Sequence, residues 1–233
     1  MSFKKTFLVL ALSAVGVWMS THLVPHGSAQ QTESSENAPT EAERTETTDE
    51  TSAESEPAPT SGTKDMVDKR QVSLAAFAKV ATVLRHPRCL NCHPSGDRPH
   101  VGDDRKLHGM NVQRGPENHG MPGLHCGACH RTENQEIPNI PGTPHWQLAP
   151  RSMGWEGLDD RQLAQMLIDK ERNGNRSFKD LMHHMGTDPL VLWGWKPGDG
   201  RSIPPLSHED FMQSLKTWLE NGAAIPHEGE TTF

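Results

Sequence analysis

The four cysteines of this chain fall into two copies of one pattern, Cys89-Leu-Asn-Cys92-His93 and Cys126-Gly-Ala-Cys129-His130. That C-x-x-C-H repeat restricts the fold more than any other feature. Two thiols one helical turn apart can bond covalently to the two vinyl groups on one edge of a haem macrocycle. The next residue, His, then lies beneath the ring and can coordinate iron through an imidazole nitrogen. Three other readings of the cysteines compete. A zinc site needs two C-x-x-C pairs closer together than the 33 residues that separate Cys92 from Cys126. Two local disulfides would suit an oxidising compartment. A thioredoxin-like redox pair would need a βαβ context, which is missing. None of these requires His after both second cysteines. The motifs therefore predict two covalently bound haem c groups, held by Cys89, Cys92, His93, Cys126, Cys129 and His130.

Composition is uneven. Only 33% of the 233 residues are hydrophobic and none is Tyr, but residues 30–63 account for much of that poverty, with nine acidic residues against one Arg and Ala as the only apolar type. Such a segment cannot bury enough surface to offset its ordering entropy and is expected to be a disordered acidic linker. Residues 64–233 are then near neutral and hold 12 of the 14 His. No basic face is left for nucleic acid, so none is expected as a partner.

The N-terminus begins with a short basic stretch, Met1–Lys5, and continues through an uncharged apolar run over residues 6–19. This is the pattern of an export signal, and Gly27 and Ala29 stand at −3 and −1 of a cut after Ala29. The alternative is an uncleaved anchor at the lower limit of bilayer-spanning length. Both versions place residues 64–233 outside the cytoplasm, in the periplasm, soluble or tethered to the inner membrane by residues 1–29.

Helical spacing predicts a mainly α domain with long irregular loops and no convincing alternating strand. A first helix is expected over residues 71–85, capped by Ser73, with Leu74, Phe77, Ala78, Ala81 and Leu84 on its apolar stripe. Leu163, Met166 and Leu167 share a face of a second helical stretch that ends at Asn173-Gly174. Ser177 caps a third, with Phe178, Leu181, Met182 and Met185 at helical spacing. Ser207 and Asp210 resemble a capping box ahead of Phe211, Met212, Leu215, Trp218 and Leu219, and Gly222 is the stop. Residues 94–125 read as a loop wrapped around haem, and a Pro-dense loop follows from 137 to 150.

His93 and His130 are the expected proximal iron ligands. The far face of each iron is left to a wide pool: His100, His108, Met110, His119, Met121, His125, His145, Met153, His183, His184 and Met185. Met153, which follows the Pro-rich loop, and His184, beside the buried face of its helix, are favoured. Met110, His119 and His145 come next. Arg88, Arg98 and Arg131 flank the motifs and are candidates to pair with haem propionates.

Several stretches together carry a family resemblance: His86–Pro99 around the first motif, Met110–Gly115, Gly123–His130, Pro144-His-Trp146, Met153–Gly157 and Asp188–Trp195. They resemble a group of bacterial exported dihaem c-type cytochromes, sometimes labelled as an isoquinoline 1-oxidoreductase subunit, over about residues 71–226. The resemblance implies a dihaem cytochrome but not the substrate of any partner. With no nucleophile–base constellation in view, the expected role is electron transfer between a periplasmic dehydrogenase or oxidoreductase and a respiratory acceptor, rather than catalysis. The alternative is a dihaem redox enzyme such as a peroxidase with one open haem site. The 32 residues between His93 and Cys126 are short for the two lobes of such an enzyme.

Overall fold

Residues 61–230 of the computed structural model are described below; the expected signal or anchor and nearly all of the expected acidic linker lie outside them. Within them, seven helices alternate with long irregular segments. Helix α1 spans Ser61–Leu84. Its second half is the packed half, with Ser73, Ala76, Phe77, Val80, Ala81, Val83 and Leu84 buried at i, i+3, i+4 and i+7 spacing. Against it lies α7, His208–Glu220, whose buried face is Phe211, Ser214, Leu215, Trp218 and Leu219. The rings of Phe77 and Trp218 meet at 4.8 Å, and both are fully buried.

Here one expectation fails. Ser73 is not the cap of α1, because the chain is already helical from Ser61, inside the stretch expected to be linker. Ser73 instead sits fully buried in mid-helix, donating from Oγ to the Trp218 carbonyl at 3.0 Å and accepting from the Ala224 amide at 2.9 Å. It latches the C-terminal end of α7 to α1.

The other caps follow the sequence. Asp159 and Gln162 form a reciprocal capping box at the start of α4, Asp160–Ile168. Ser177 and Asp180 do the same for α5, Phe178–Thr187, and Ser207 accepts from the Asp210 amide at the start of α7. After α7, Gly222 takes φ +93°, a left-handed conformation that suits glycine. Helix α4 stops at Ile168, short of the expected Asn173. Asn173 closes the turn that follows, donating to the Leu167 and Arg176 carbonyls and accepting from the Arg176 amide. Phe178 departs from its expected buried face and is 46% exposed.

Helix α6, Pro189–Trp193, follows α5 directly. The short helices α2, Pro87–Leu90, and α3, Cys126–Cys129, carry the cysteine motifs. Two antiparallel hairpins escaped the sequence reading: β1 (His100–Val101) with β2 (Lys106–Leu107), and β3 (Gly120–Met121) with β4 (Leu124–His125). Each strand has two residues, too few for an alternation to register. No helix among the described residues is long and apolar enough to cross a membrane.

Arg114 organises the irregular part. It is 5% exposed, and its guanidinium donates to the carbonyls of Pro94, Gly96 and Ala149 while pairing with Asp97. A polar hub stands where a larger domain would use apolar packing. Near it, Gly154 runs so close to the Pro94 carbonyl that an added Cβ would stand 2.9 Å from its oxygen.

Candidate functional site

Each C-x-x-C-H motif sits on a short helical turn or just past its end and lines a cavity. In α2, Pro87 occupies the first turn, where a missing N–H costs nothing. The His86 side chain caps it by accepting from the Arg88 amide at 3.2 Å. The turn places Cys89, Cys92 and His93 along one cavity, whose empty volume is about 1200 Å³ counted out to solvent. Helix α3 places Cys126, Cys129 and His130 along a second, of about 1720 Å³. Four side chains, Arg88, Cys92, Gln147 and Leu148, line both, so the cavities share a wall.

The two histidines are held in the same way. His93 Nδ1 lies 2.7 Å from the Met153 carbonyl, and His130 Nδ1 lies 2.7 Å from the Pro141 carbonyl. A carbonyl can only accept, so each Nδ1 carries the proton and each Nε2 presents its lone pair. Anchoring of the second ring nitrogen on a carbonyl is the usual setting of a metal-ligating imidazole. An indole stacks on each ring: Trp155 on His93 at 3.4 Å and 14°, Trp146 on His130 at 4.4 Å and 5°. Burial pushes the pKa of His93 down to about 3 and lowers that of His130, so both stay neutral at physiological pH. Burial also pushes the Cys89 thiol up to about 12 and the Cys92 thiol up to about 11. These are not thiolates in waiting.

One segment sets both rings. Between Trp146 and Trp155 the chain stacks on His130, donates from the Ala149 amide to the Cys92 carbonyl at 2.9 Å, and reaches His93 through Met153 and Trp155. The Trp155 amide adds a bond to the His93 carbonyl at 3.0 Å.

Of the residues favoured for the far faces, His184 and Met153 both line the first cavity. His184 Nδ1 is 3.2 Å from Asp188 Oδ2. The other oxygen of Asp188 accepts from the Leu190 amide at 2.8 Å and caps α6. One carboxylate thus fixes the helix joint and orients the imidazole, and the His184 hydrogen bond holds its carboxyl below the ordinary range. Met153 is buried, yet its backbone carbonyl is the group that anchors His93. Met185, 5% exposed, lines the same cavity from α5. His119, His125, His145, His183, Met110 and Met121 are exposed, though Met110 and His125 line the second cavity.

Among the arginines, Arg88 is 5% exposed, lines both cavities, and leaves its Nε buried without a partner while Nη2 pairs with Asp103. Arg98 instead donates to the His108 carbonyl, Arg131 is exposed, and neither lines these two cavities. Arg176 and Arg201, which sequence reasoning passed over, line the first and second cavities. Their distance from the motifs along the chain left no local signal.

No three His, Cys, Asp or Glu side chains among the described residues come together as a group able to hold a metal ion. No protein-family model, curated protein or solved structure matches the chain.

Proposed function

We propose that this chain is a dihaem c-type cytochrome that carries electrons. The observation behind this reading is the duplicated arrangement. In each of two cavities sharing a wall, two thiols and one imidazole from a C-x-x-C-H turn line the space, and the imidazole is anchored at Nδ1 with Nε2 free. The residues fit haem on further counts. Val101, Met110 and Leu124 are large apolar side chains 39%, 72% and 37% exposed, and all three line the second cavity, where a haem plate would cover them. The buried Arg88 guanidinium, paired through Nη2 with Asp103, keeps an unpartnered Nε–H that would donate to a propionate. A zinc site of the Cys2His2 type would instead need the thiols and imidazoles converged on one point.

Cys89 and Cys92 would hold one haem and Cys126 and Cys129 the other. Attachment would add each thiol across a vinyl double bond, with one C–S bond formed, the thiol proton passed to the neighbouring carbon and no net change in electrons. His93 and His130 would be the proximal ligands. Bound haem supplies a reversible one-electron Fe(III)/Fe(II) couple whose potential is set by ligand, burial and hydrogen bonding.

His184 takes the far face of the first site, on the strength of its place in that cavity and its Asp188 anchor. Met153, favoured beside it from sequence, belongs to the proximal side. Its carbonyl anchors His93 at Nδ1, which favours a place beside that ring over one across the cavity from it. The shared wall, with Cys92 on both sides of it, suits passage of electrons between the two sites. The role extends to an exported carrier between a periplasmic dehydrogenase or oxidoreductase and a respiratory acceptor, soluble or tethered by its N-terminus. The test is a spectroelectrochemical titration with added peroxide and carbon monoxide. A carrier shows two reversible one-electron couples, low-spin iron and no peroxide turnover. High-spin iron that consumes peroxide would favour the peroxidase alternative.

A further inference from the structure

We infer that His108 closes the far face of the second site, a deeper reading of that site that rests on the dihaem proposal. The ring centroids of His108 and His130 are 6.1 Å apart, with their planes at 67°. Two imidazoles on opposite sides of one metal, each with a metal–nitrogen bond of roughly 2.0 Å and a nitrogen about 1.1 Å from its ring centre, place their centroids roughly 6.3 Å apart. Rotation about that axis is free, so the angle between the planes is no obstacle. Both residues line the second cavity.

His108 is also fixed in the required state. Its amide donates to the Pro99 carbonyl at 2.9 Å, and its own carbonyl accepts from Arg98 at 2.9 Å. Its Nδ1 lies 3.0 Å from the Gly109 carbonyl, so Nδ1 is the protonated nitrogen and Nε2 keeps its lone pair. Among the described histidines, the Nδ1 atoms that meet a carbonyl or carboxylate belong to His93, His108, His130 and His184. These are two for each cavity. His86 uses Nδ1 as an acceptor, and His208 reaches its carbonyl through Nε2. The other donors on the second cavity fit less well. His100 turns Nε2 toward Glu156 at 4.0 Å, leaving its buried, unpartnered Nδ1 as the free ring nitrogen, and His125 directly precedes Cys126 on the motif's own turn.

The experiment uses the full chain matured with covalently attached haem, and reads haem count by intact mass and iron spin state by electron paramagnetic resonance. Wild type is expected to give two haems and two low-spin ferric signals. His108→Ala is expected to keep both haems, convert half of the low-spin intensity to high-spin, and regain it when imidazole is added. His108→Met, for use if the alanine variant fails to mature, is expected to give one iron the far-red charge-transfer band of methionine ligation. Two unchanged low-spin signals in either variant, or a wild-type high-spin signal with the rest of the spectrum unaltered by either substitution, would overturn the His108 assignment while leaving the haem reading intact. A wild-type chain without haem would instead remove the reading on which it rests.

Discussion

Met153 holds His93 by its backbone and not by its sulfur: the carbonyl of one lies 2.7 Å from Nδ1 of the other. That contact, made across 60 positions of chain, joins the first cysteine motif to the segment that also stacks Trp146 on His130. It separates the two residues favoured for the far face of the first site. Met153→Leu is therefore expected to leave the spectra of both irons unchanged, whereas His184→Ala is expected to turn one iron high-spin. Visible and paramagnetic resonance spectra of the two variants check this, and a lost methionine signature in Met153→Leu would refute it.

Asp188 ties the His184 imidazole to the joint of α5 and α6 through its two oxygens. Asp188→Asn keeps an acceptor for the Leu190 amide but weakens the hold on His184. The cap should survive, with stability changed by about 1 kcal/mol or less. The reduction potential of one haem should rise, because a ligand without its carboxylate partner is a poorer donor to Fe(III). Potentiometry beside thermal melting separates these effects; equal shifts at both haems would count against the assignment.

Arg88 is a buried cation on the wall of both cavities. Arg88→Gln should lower both potentials, since losing a positive charge favours the ferric state; each tenfold change in that preference is about 59 mV for a one-electron couple. Arg88→Lys should recover part of the loss. Unmoved potentials in Arg88→Gln would place the guanidinium outside the redox environment.

How much of this was legible beforehand depends on the range of each interaction. Ser177, Ser207 and Gly222 work within a turn of chain, and the sequence carries their roles openly. Ser73 shows the limit. A serine ahead of an apolar stripe reads as a cap, but its partners are Trp218 and Ala224, more than 140 positions away. His93 and His130 stand out in the sequence because each directly follows a C-x-x-C pair. His108 does not, because nothing local distinguishes it from the other histidines. Only the hairpin that delivers it and the Gly109 carbonyl that sets its tautomer single it out.

Ser73 also yields a stability prediction. Ser73→Ala leaves the half-buried Ala224 amide without its acceptor, while the Trp218 carbonyl keeps the Ala223 amide. The cost should be about 1–3 kcal/mol. Chemical denaturation should show it with haem content unchanged. A neutral substitution would mean that the latch between α1 and α7 contributes nothing.

Glu156 provides the pH dependence. Burial raises its pKa, but hydrogen bonds from Ser95 and Arg105 outweigh that and hold it below the ordinary 4.5. A carboxylate with a depressed folded-state pKa contributes stability that is present above its unfolded value and lost as pH falls through the folded one. Acidification from pH 5 should therefore loosen the tie between the first motif and the β1–β2 hairpin. Glu156→Gln should flatten that part of the pH–stability curve; an unchanged curve would contradict it.

The most direct measurement is the intact mass of the protein matured in a host that attaches c-type haem, taken with its absorption spectrum. The account predicts the chain plus two haems, resistant to acidic organic extraction, with a Soret band, and loss of covalent attachment of one haem when Cys126 and Cys129 are both changed to Ser. A bare-chain mass without a Soret band, or a colourless protein carrying stoichiometric zinc, would contradict it.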